Sequence, residues 1–207
     1  MNPDRDYPPS EEPALIGVSG GRDSVVLLHR LAMRGHRLIV CHLDHALRAG
    51  SRDEARFVEK MAARLGCECV VRRENVAARA KRTKCSIETT AREARYAFFV
   101  KVANERKVRR LFLAHHADDQ VETFLFNLLR GSGAAGLGAM RATVMRGDLE
   151  IVRPLLGVWR EEIDAYVAEH GLEFCEDPSN ADRRHTRNRV RHEILPLLAK
   201  EIGRAHV

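Results

Sequence analysis

The sequence predicts an α/β fold: a Rossmann-like parallel sheet with helices on both faces. Three observations carry this. Short apolar runs alternate with stretches of helical spacing along the 207 residues. Gly and Ser punctuate the junctions between them, as turn and capping residues do. The chemically reactive residues gather just after the apolar runs. Right-handed crossovers would bring the C-terminal ends of parallel strands to one edge, where such residues can meet.

Taken in order, Ala14-Leu-Ile-Gly-Val-Ser19 is an apolar run that ends in a Ser-Gly-Gly turn, a strand leading into a helix over 23–34 that Gly35 stops. Residues 37–43 form a second strand. Residues 51–65 read as a helix with a Ser51/Glu54 capping box and Gly66 as terminator. A third strand covers 67–71, a helix opened by Ser86 covers 86–107, and a fourth strand covers 110–114. The helix over 118–130 runs into the glycine-rich GSGAAGLGAM. Gly147-Asp148 marks a short strand pair within 143–152, and helices near 160–170 and 187–198 follow. The expected organisation is a flexible tail over 1–12, one domain over 13–198 with a helical extension from about 158, and a chain end over 199–207.

Composition removes several classes of function. No apolar run approaches the ~18 residues a membrane span needs, and the opening MNPDRDYPPSEEP is neither signal nor transit peptide. Cys41, Cys67, Cys69, Cys85 and Cys175 are odd in number and contain no Cys-x-x-Cys pair, which predicts reduced thiols and a cytoplasmic protein without a zinc ribbon. The net charge of +6 fits a polyanionic partner without establishing one. Its distribution says more. Arg72, Arg73, Arg79, Lys81, Arg82 and Lys84 crowd one segment, and Arg183, Arg184, Arg187, Arg189 and Arg191 another.

Ser19-Gly20-Gly21-Arg22-Asp23-Ser24 lies between a strand and a helix. Adjacent glycines permit positive φ and close approach to a ligand. The helix N-terminus offers unpaired N–H groups and the positive end of a dipole, both suited to phosphate. Neither a Walker A sequence nor a G-x-G-x-x-G fingerprint is present. His115-His-Ala-Asp-Asp-Gln-Val-Glu122 opens the helix after the fourth strand. At 100° per residue His115, Asp119 and Glu122 share one face, provided His115 is helical, while Val121, Phe124, Leu125 and Leu128 turn to the core. Two histidines and three acids exceed what a helix start needs. They could bind Mg²⁺, hold a cationic substrate or supply a base.

Together with LDHALR (43–48), ETTAREARY (88–96), RGSGAAGLGAM (130–140), RPLL (153–156), EDPSN (176–180) and RNRVR (187–191), these stretches resemble the tRNA(Ile)-lysidine synthetase family of PP-loop ATP pyrophosphatases, an adenine nucleotide alpha hydrolase-like fold. The matches occur in the family's order over about residues 14–198. The resemblance implies a ligase that uses ATP and Mg²⁺ to adenylate C2 of the wobble cytidine in the isoleucine tRNA with a CAU anticodon. The ε-amine of free L-lysine then displaces AMP. By the same resemblance Ser19–Ser24 hold the nucleotide, and Asp23 helps place Mg²⁺. Arg95 and His115 lie against ATP or the adenylate as positive donors, and Asp119 and Glu122 receive the lysine ammonium. Arg183, Arg184, Arg187, Arg189, Arg191 and the 72–84 segment would meet tRNA phosphates. Many members of that family carry further domains that grip the tRNA body; the expectation here is that those are absent.

Two other readings share the phosphate loop. A tRNA thiolase would need paired cysteines or an Fe–S cluster. A non-catalytic ATP-binding module would leave Arg95, Asp119 and Glu122 without a role.

Overall fold

The structure is a computed structural model that describes residues 7–8, 10–48, 50–176 and 189–202. EDPSN from Asp177 onward, the first two residues of RNRVR, and Arg183, Arg184 and Arg187 lie outside the described residues, as do residues 1–6.

Six strands form one sheet. They are β1 (Ala14–Gly17), β2 (Leu38–Asp44), β3 (Glu68–Arg73), β4 (Arg110–Phe112), β5 (Thr143–Arg146) and β6 (Leu149–Val152), in the order β3-β2-β1-β4-β6-β5. All neighbours are parallel except the β5–β6 hairpin. Its two-residue turn places Gly147 at φ 59, as a first turn position with positive φ demands. The helices are α1 (Arg22–Met33), α2 (Ser51–Arg64), α3 (Val76–Thr83), α4 (Ile87–Arg106), α5 (Ala117–Leu129), α6 (Ala134–Leu137) and α7 (Arg160–His170). A π-helical turn (Val190–Ile194) runs into α8 (Leu195–Ile202).

Alternation along the strands divides the core in two. Ile16, Val18, Leu38 and Val40 pack on one face with α1, α2 and Ile163 of α7. Leu15, Ile39, Leu111 and Ile151 pack on the other with Tyr96, Phe99 and Val102 of α4. Tyr7, within the expected tail, sets its ring edge-on to Phe112 at 6.2 Å. Strand order reverses beside β1, whose neighbours β2 and β4 feed opposite sides. A crevice opens at such a switch point, at the strand C-terminal ends.

Three local expectations change. Residues 76–83, read only as basic sequence, form α3. Asn75 caps it by accepting from Ala78 N at 2.9 Å, and Val76 and Ala80 alone supply its buried face. The Ser51/Glu54 capping box does not form: Gly50 is the N-cap, and Glu54 Oε1 accepts from Arg48 Nη2 at 2.8 Å. α5 is turned the other way from its apolar pattern. Glu122 is 1% exposed, whereas Phe124 and Leu128 are 40% and 48% exposed. The buried Glu122 is paired with Arg191.

Candidate active site

A cleft of about 960 Å³ lies along the C-terminal edge of the sheet. It is lined by the Ser19–Ser24 turn, the Asp44–Arg48 segment after β2, Arg95 of α4, His115, Arg160, Arg191 and the Phe174–Glu176 segment.

The turn after β1 is built from its own side chains. Gly20 takes φ +90, a conformation that strains any residue with a Cβ. Gly21 has φ −72 and caps α1 through its backbone. Of the two glycines, one is required for conformation and the other leaves room beside the helix start. Ser24 Oγ donates to Gly21 O at 2.8 Å and accepts from Ser19 N at 3.2 Å, so this hydroxyl fixes the turn. The N–H groups of Arg22, Asp23 and Ser24 form the first turn of α1, where helical geometry provides no partner. Cys175 N closes the outer side by donating to Gly20 O at 2.9 Å, and Arg22 stacks on Phe174.

Asp23 faces Arg160, which reaches over from α7: Nη1 lies 2.9 Å from Oδ1 and Nη2 donates to Oδ2 at 3.3 Å. Burial raises the Asp23 carboxyl above its ordinary range, while Arg160 and His116 pull against that. Arg160 Nη2 also lies 3.0 Å from His116 Nε2. His116 is 1% exposed, with Asp118 3.3 Å and Asp119 3.5 Å away. Burial opposes its charge, but Asp118, Asp119 and Asp23 together raise it. His116 N donates to Asp119 Oδ2 at 3.1 Å, which caps α5.

His115 precedes α5, so the helical angles do not apply to it. Burial, then the charges of Arg153, Arg95 and Arg92, lower it to about 3 against the pull of Asp119. It is a neutral imidazole at working pH. The expectation of a positive donor is corrected at this residue. Asp119 and Glu122 do share a face, and Arg191 occupies it. Its Nε donates to Glu122 Oε1 at 2.5 Å, and Nη2 stands 3.5 Å from Asp119 Oδ1. Arg191 therefore does not sit with Arg189, which is exposed and pairs with Glu193.

A family model described as a PP-loop domain matches residues 4–198. The chain belongs to the PP-loop family. Curated relatives include tRNA(Ile)-lysidine synthase of Geobacter sulfurreducens, 45% identical over 190 residues that make up 90% of this chain and 40% of the relative. The synthase of that name from Bacillus subtilis is 39% identical, over 93% of this chain and 42% of the relative. The bifunctional protein TilS/HprT of Listeria monocytogenes is 38% identical, over 93% and 30%. The chain thus spans less than half the length of these relatives. Among solved structures, the U34-tRNA thiolase NcsA from Methanococcus maripaludis, described with its [4Fe-4S] cluster, superposes with a TM-score of 0.77 at 16% identity, over 96% of this chain and 69% of that one. At that identity it bears on the fold alone.

ATP is the nucleotide that PP-loop domains use, and the Ser19–Ser24 turn is the phosphate-sized bend at a helix start in this cleft. A magnesium ion fits only as a partner of bound phosphate. Among the described residues no group of three or more His, Cys, Asp or Glu side chains could hold a metal, but Mg²⁺ commonly takes one or two carboxylates plus substrate phosphates. Asp23, with Oδ1 buried and lacking an aligned hydrogen bond, would supply one such carboxylate beside the Ser19–Ser24 turn.

Sequence reasoning did not single out Arg160, Arg153 or His116. Arg160 and Asp23 are 137 positions apart, and no local pattern pairs them. Arg153 opens the RPLL stretch and His116 belongs to the acidic motif, so both lay within recognised segments.

Proposed function

We propose that this chain is the adenylating domain of a tRNA(Ile)-lysidine synthase. The observation that carries the reading is the acidic pair Asp119/Glu122, which already receives one long cationic side chain, that of Arg191, beside a PP-loop. The lysidine synthase relatives, aligned over some nine-tenths of the chain, support it.

The C2 oxygen of the wobble cytidine attacks the α-phosphorus of ATP, and pyrophosphate leaves. The first-turn N–H groups of α1 and the bend at Gly20 hold the departing phosphates. Mg²⁺, when bound, would be held by Asp23 and phosphate oxygens and would neutralise part of their charge. Arg95, as a cation, and His115, as an uncharged N–H donor, face the charge that develops on the adenylate. The ε-nitrogen of lysine then attacks C2, and AMP leaves. Glu122 is committed to Arg191, so Asp119 is the carboxylate that receives the lysine ammonium. The exposed cations Arg72, Lys81, Arg82 and Lys84 meet tRNA phosphates.

A thiolase reading has less support. Cys41 lines the cleft, but burial pushes its thiol up to about 12, and burial raises the Cys175 thiol as well.

The test is transfer of labelled lysine to a CAU-anticodon isoleucine tRNA with ATP and Mg²⁺, beside a CAU methionine tRNA. Label on the isoleucine tRNA alone is expected. Absence of both label and tRNA-dependent pyrophosphate release would sink the proposal.

A further inference from the structure

Strands β4 and β6 run parallel with Phe112 level with Val152, and Leu113 N donates to Val152 O at 2.9 Å. The two strands release their next residues side by side. This brings Arg153 to His115 across 38 positions of sequence. Arg153 is 7% exposed and held at three points. Its N–H donates to Ala142 O at 2.8 Å, Nη1 donates to Arg141 O at 2.7 Å, and Nε donates to His115 Nδ1 at 3.3 Å.

The third contact has a chemical consequence. A guanidinium can only donate, so the nitrogen it addresses must carry a lone pair. Nδ1 of His115 is then the unprotonated nitrogen, and the single proton of the neutral ring resides on Nε2. A partner on one ring nitrogen sets the tautomer at the other. His115 lines the cleft, and Nε2–H is then the one ring N–H it has to offer.

We propose that Arg153 is a positioning residue that locks His115 in the Nε2–H tautomer, presenting a neutral hydrogen-bond donor to an anionic oxygen of the bound nucleotide. The proposal rests on the nucleotide-binding reading of this cleft. The opposite tautomer would direct a lone pair at the same oxygen and repel it. A protonated ring would donate equally well, but burial, against the pull of Asp119 and with the charges of Arg153, Arg95 and Arg92, keeps the ring uncharged. The tautomer therefore decides whether His115 donates at all. A buried arginine carries a large desolvation cost, so an apolar side chain would suit this position better if packing were its whole role.

The tautomer can be read directly on the full 207-residue chain, labelled with ¹⁵N-histidine and free of nucleotide. Long-range ¹H–¹⁵N correlation separates protonated from unprotonated ring nitrogens, and His115→Gln assigns the signals by their loss. At about pH 7 the wild-type ring should carry its proton on Nε2, since its ordinary pKa lies near 6.5 and its environment lowers it further. Arg153→Met should give a mixture of tautomers. It should also lower kcat for tRNA-dependent pyrophosphate release about tenfold, the low end of what a lost orienting partner costs a histidine, with a smaller change in KM for ATP. Arg153→Lys, which keeps a donor, should restore the tautomer in part.

A wild-type ring protonated on Nδ1 overturns the proposal, whether or not the variants fold. An Arg153→Met protein with unchanged tautomer and kcat overturns it as well. If the wild type shows Nε2–H but releases no pyrophosphate with any tRNA, the functional reading fails while the tautomer lock stands.

Discussion

Glu122 Oε1 accepts from Arg191 Nε at 2.5 Å, joining α5 to the π-helical turn across 69 positions of sequence. Glu122 is 1% exposed, whereas the Arg191 side chain keeps 30% of its surface in water. Burial works against the Arg191 charge, and Glu122 more than restores it. Breaking a fully buried pair from one side costs ~3–5 kcal/mol; screening at Arg191 brings the expectation for Glu122→Gln to about 2 kcal/mol. Asp119→Asn behaves differently. An amide oxygen still accepts from His116 N, so this variant should lose less in melting temperature than Glu122→Gln. KM for lysine should rise in Asp119→Asn directly and in Glu122→Gln because Arg191, released from Glu122, competes for Asp119, with ATP affinity nearly unchanged by calorimetry. Equal loss of ATP binding in Asp119→Asn would remove Asp119 from lysine recognition.

The two glycines of the Ser19–Ser24 turn should fail in different ways. Gly20→Ala forces a Cβ onto φ +90, at about 1–3 kcal/mol, and sets it 3.4 Å from Val58 Cγ2. Both stability and ATP binding should fall. Gly21 has ordinary φ, and an added Cβ meets only Ser19 Oγ at 3.3 Å. Gly21→Leu should therefore destabilise less than Gly20→Ala yet bind ATP at least about tenfold more weakly, ~1.4 kcal/mol. Paired melting curves and nucleotide titrations separate the two. Wild-type ATP affinity in Gly21→Leu would mean that phosphate does not sit at this helix start.

His115 and His116 are neighbours in sequence whose charges respond oppositely to the site. The folded His115 is lowered to about 3, so between about 6.5 and 3 the unfolded chain holds a proton that the folded chain does not. Its contribution to stability is complete above about pH 6.5 and is lost as pH falls. His116 is raised, so its contribution is complete below about pH 6.5 and is lost as pH climbs through the folded value. His115→Gln should flatten the decline in melting temperature from about pH 7 to pH 5. His116→Asn should flatten the decline on the alkaline side instead. Scanning calorimetry across pH checks both, and a His115→Gln profile parallel to the wild type would contradict the burial of this ring.

Of the six cations between 72 and 84, Arg73 reaches Asp44 at 3.5 Å and Arg79 reaches Glu74 at 2.7 Å. Arg72, Lys81, Arg82 and Lys84 are exposed. Each phosphate contact contributes ~0.7–0.9 to the slope of log K against log salt. Changing Lys81, Arg82 and Lys84 together to Gln should reduce that slope for tRNA binding by about 2 and leave ATP affinity alone. Filter binding over a salt series reads the slope. An unchanged slope would move the tRNA path away from α3.

What the sequence disclosed was local. The Gly20 bend, the Ser86 cap on α4 and the Gly147 turn each follow from a residue's own backbone or side-chain preference. The order of apolar runs disclosed the sheet, because parallel strands and crossover helices leave few arrangements. Long-range side-chain pairing was not disclosed. Arg160 meets Asp23, Arg153 meets His115 and Arg191 meets Glu122 only after the strand ends have been brought to one edge. The orientation of α5 was misjudged for the same reason. Its apolar period was read correctly, but the covered face carries Glu122, paired with Arg191, while Phe124 and Leu128 are exposed. α3 escaped notice because Val76 and Ala80 are too small a buried face to stand out among basic residues.

Gly17 shows how closely the core supports the cleft. It ends β1 with ordinary φ, so backbone freedom does not explain it. An added Cβ would lie 2.8 Å from Leu113 Cδ2 and 2.8 Å from Phe99 Cζ, closer than packed atoms come. All three residues line the cleft floor. Both neighbours belong to the tightly packed second core, where Phe99 is 2% and Leu113 5% exposed. Gly17→Ala should cost about 1–3 kcal/mol through overpacking, or roughly 2–12 °C in melting temperature for a chain of this size. Phe99→Leu makes room at the ring position but opens a gap when made alone. If the contact with Phe99 sets the cost, the double variant Gly17→Ala/Phe99→Leu should be more stable than the sum of the two single losses predicts, by more than about 0.5 kcal/mol. Strict additivity in the thermal unfolding series would shift the clash to Leu113 alone.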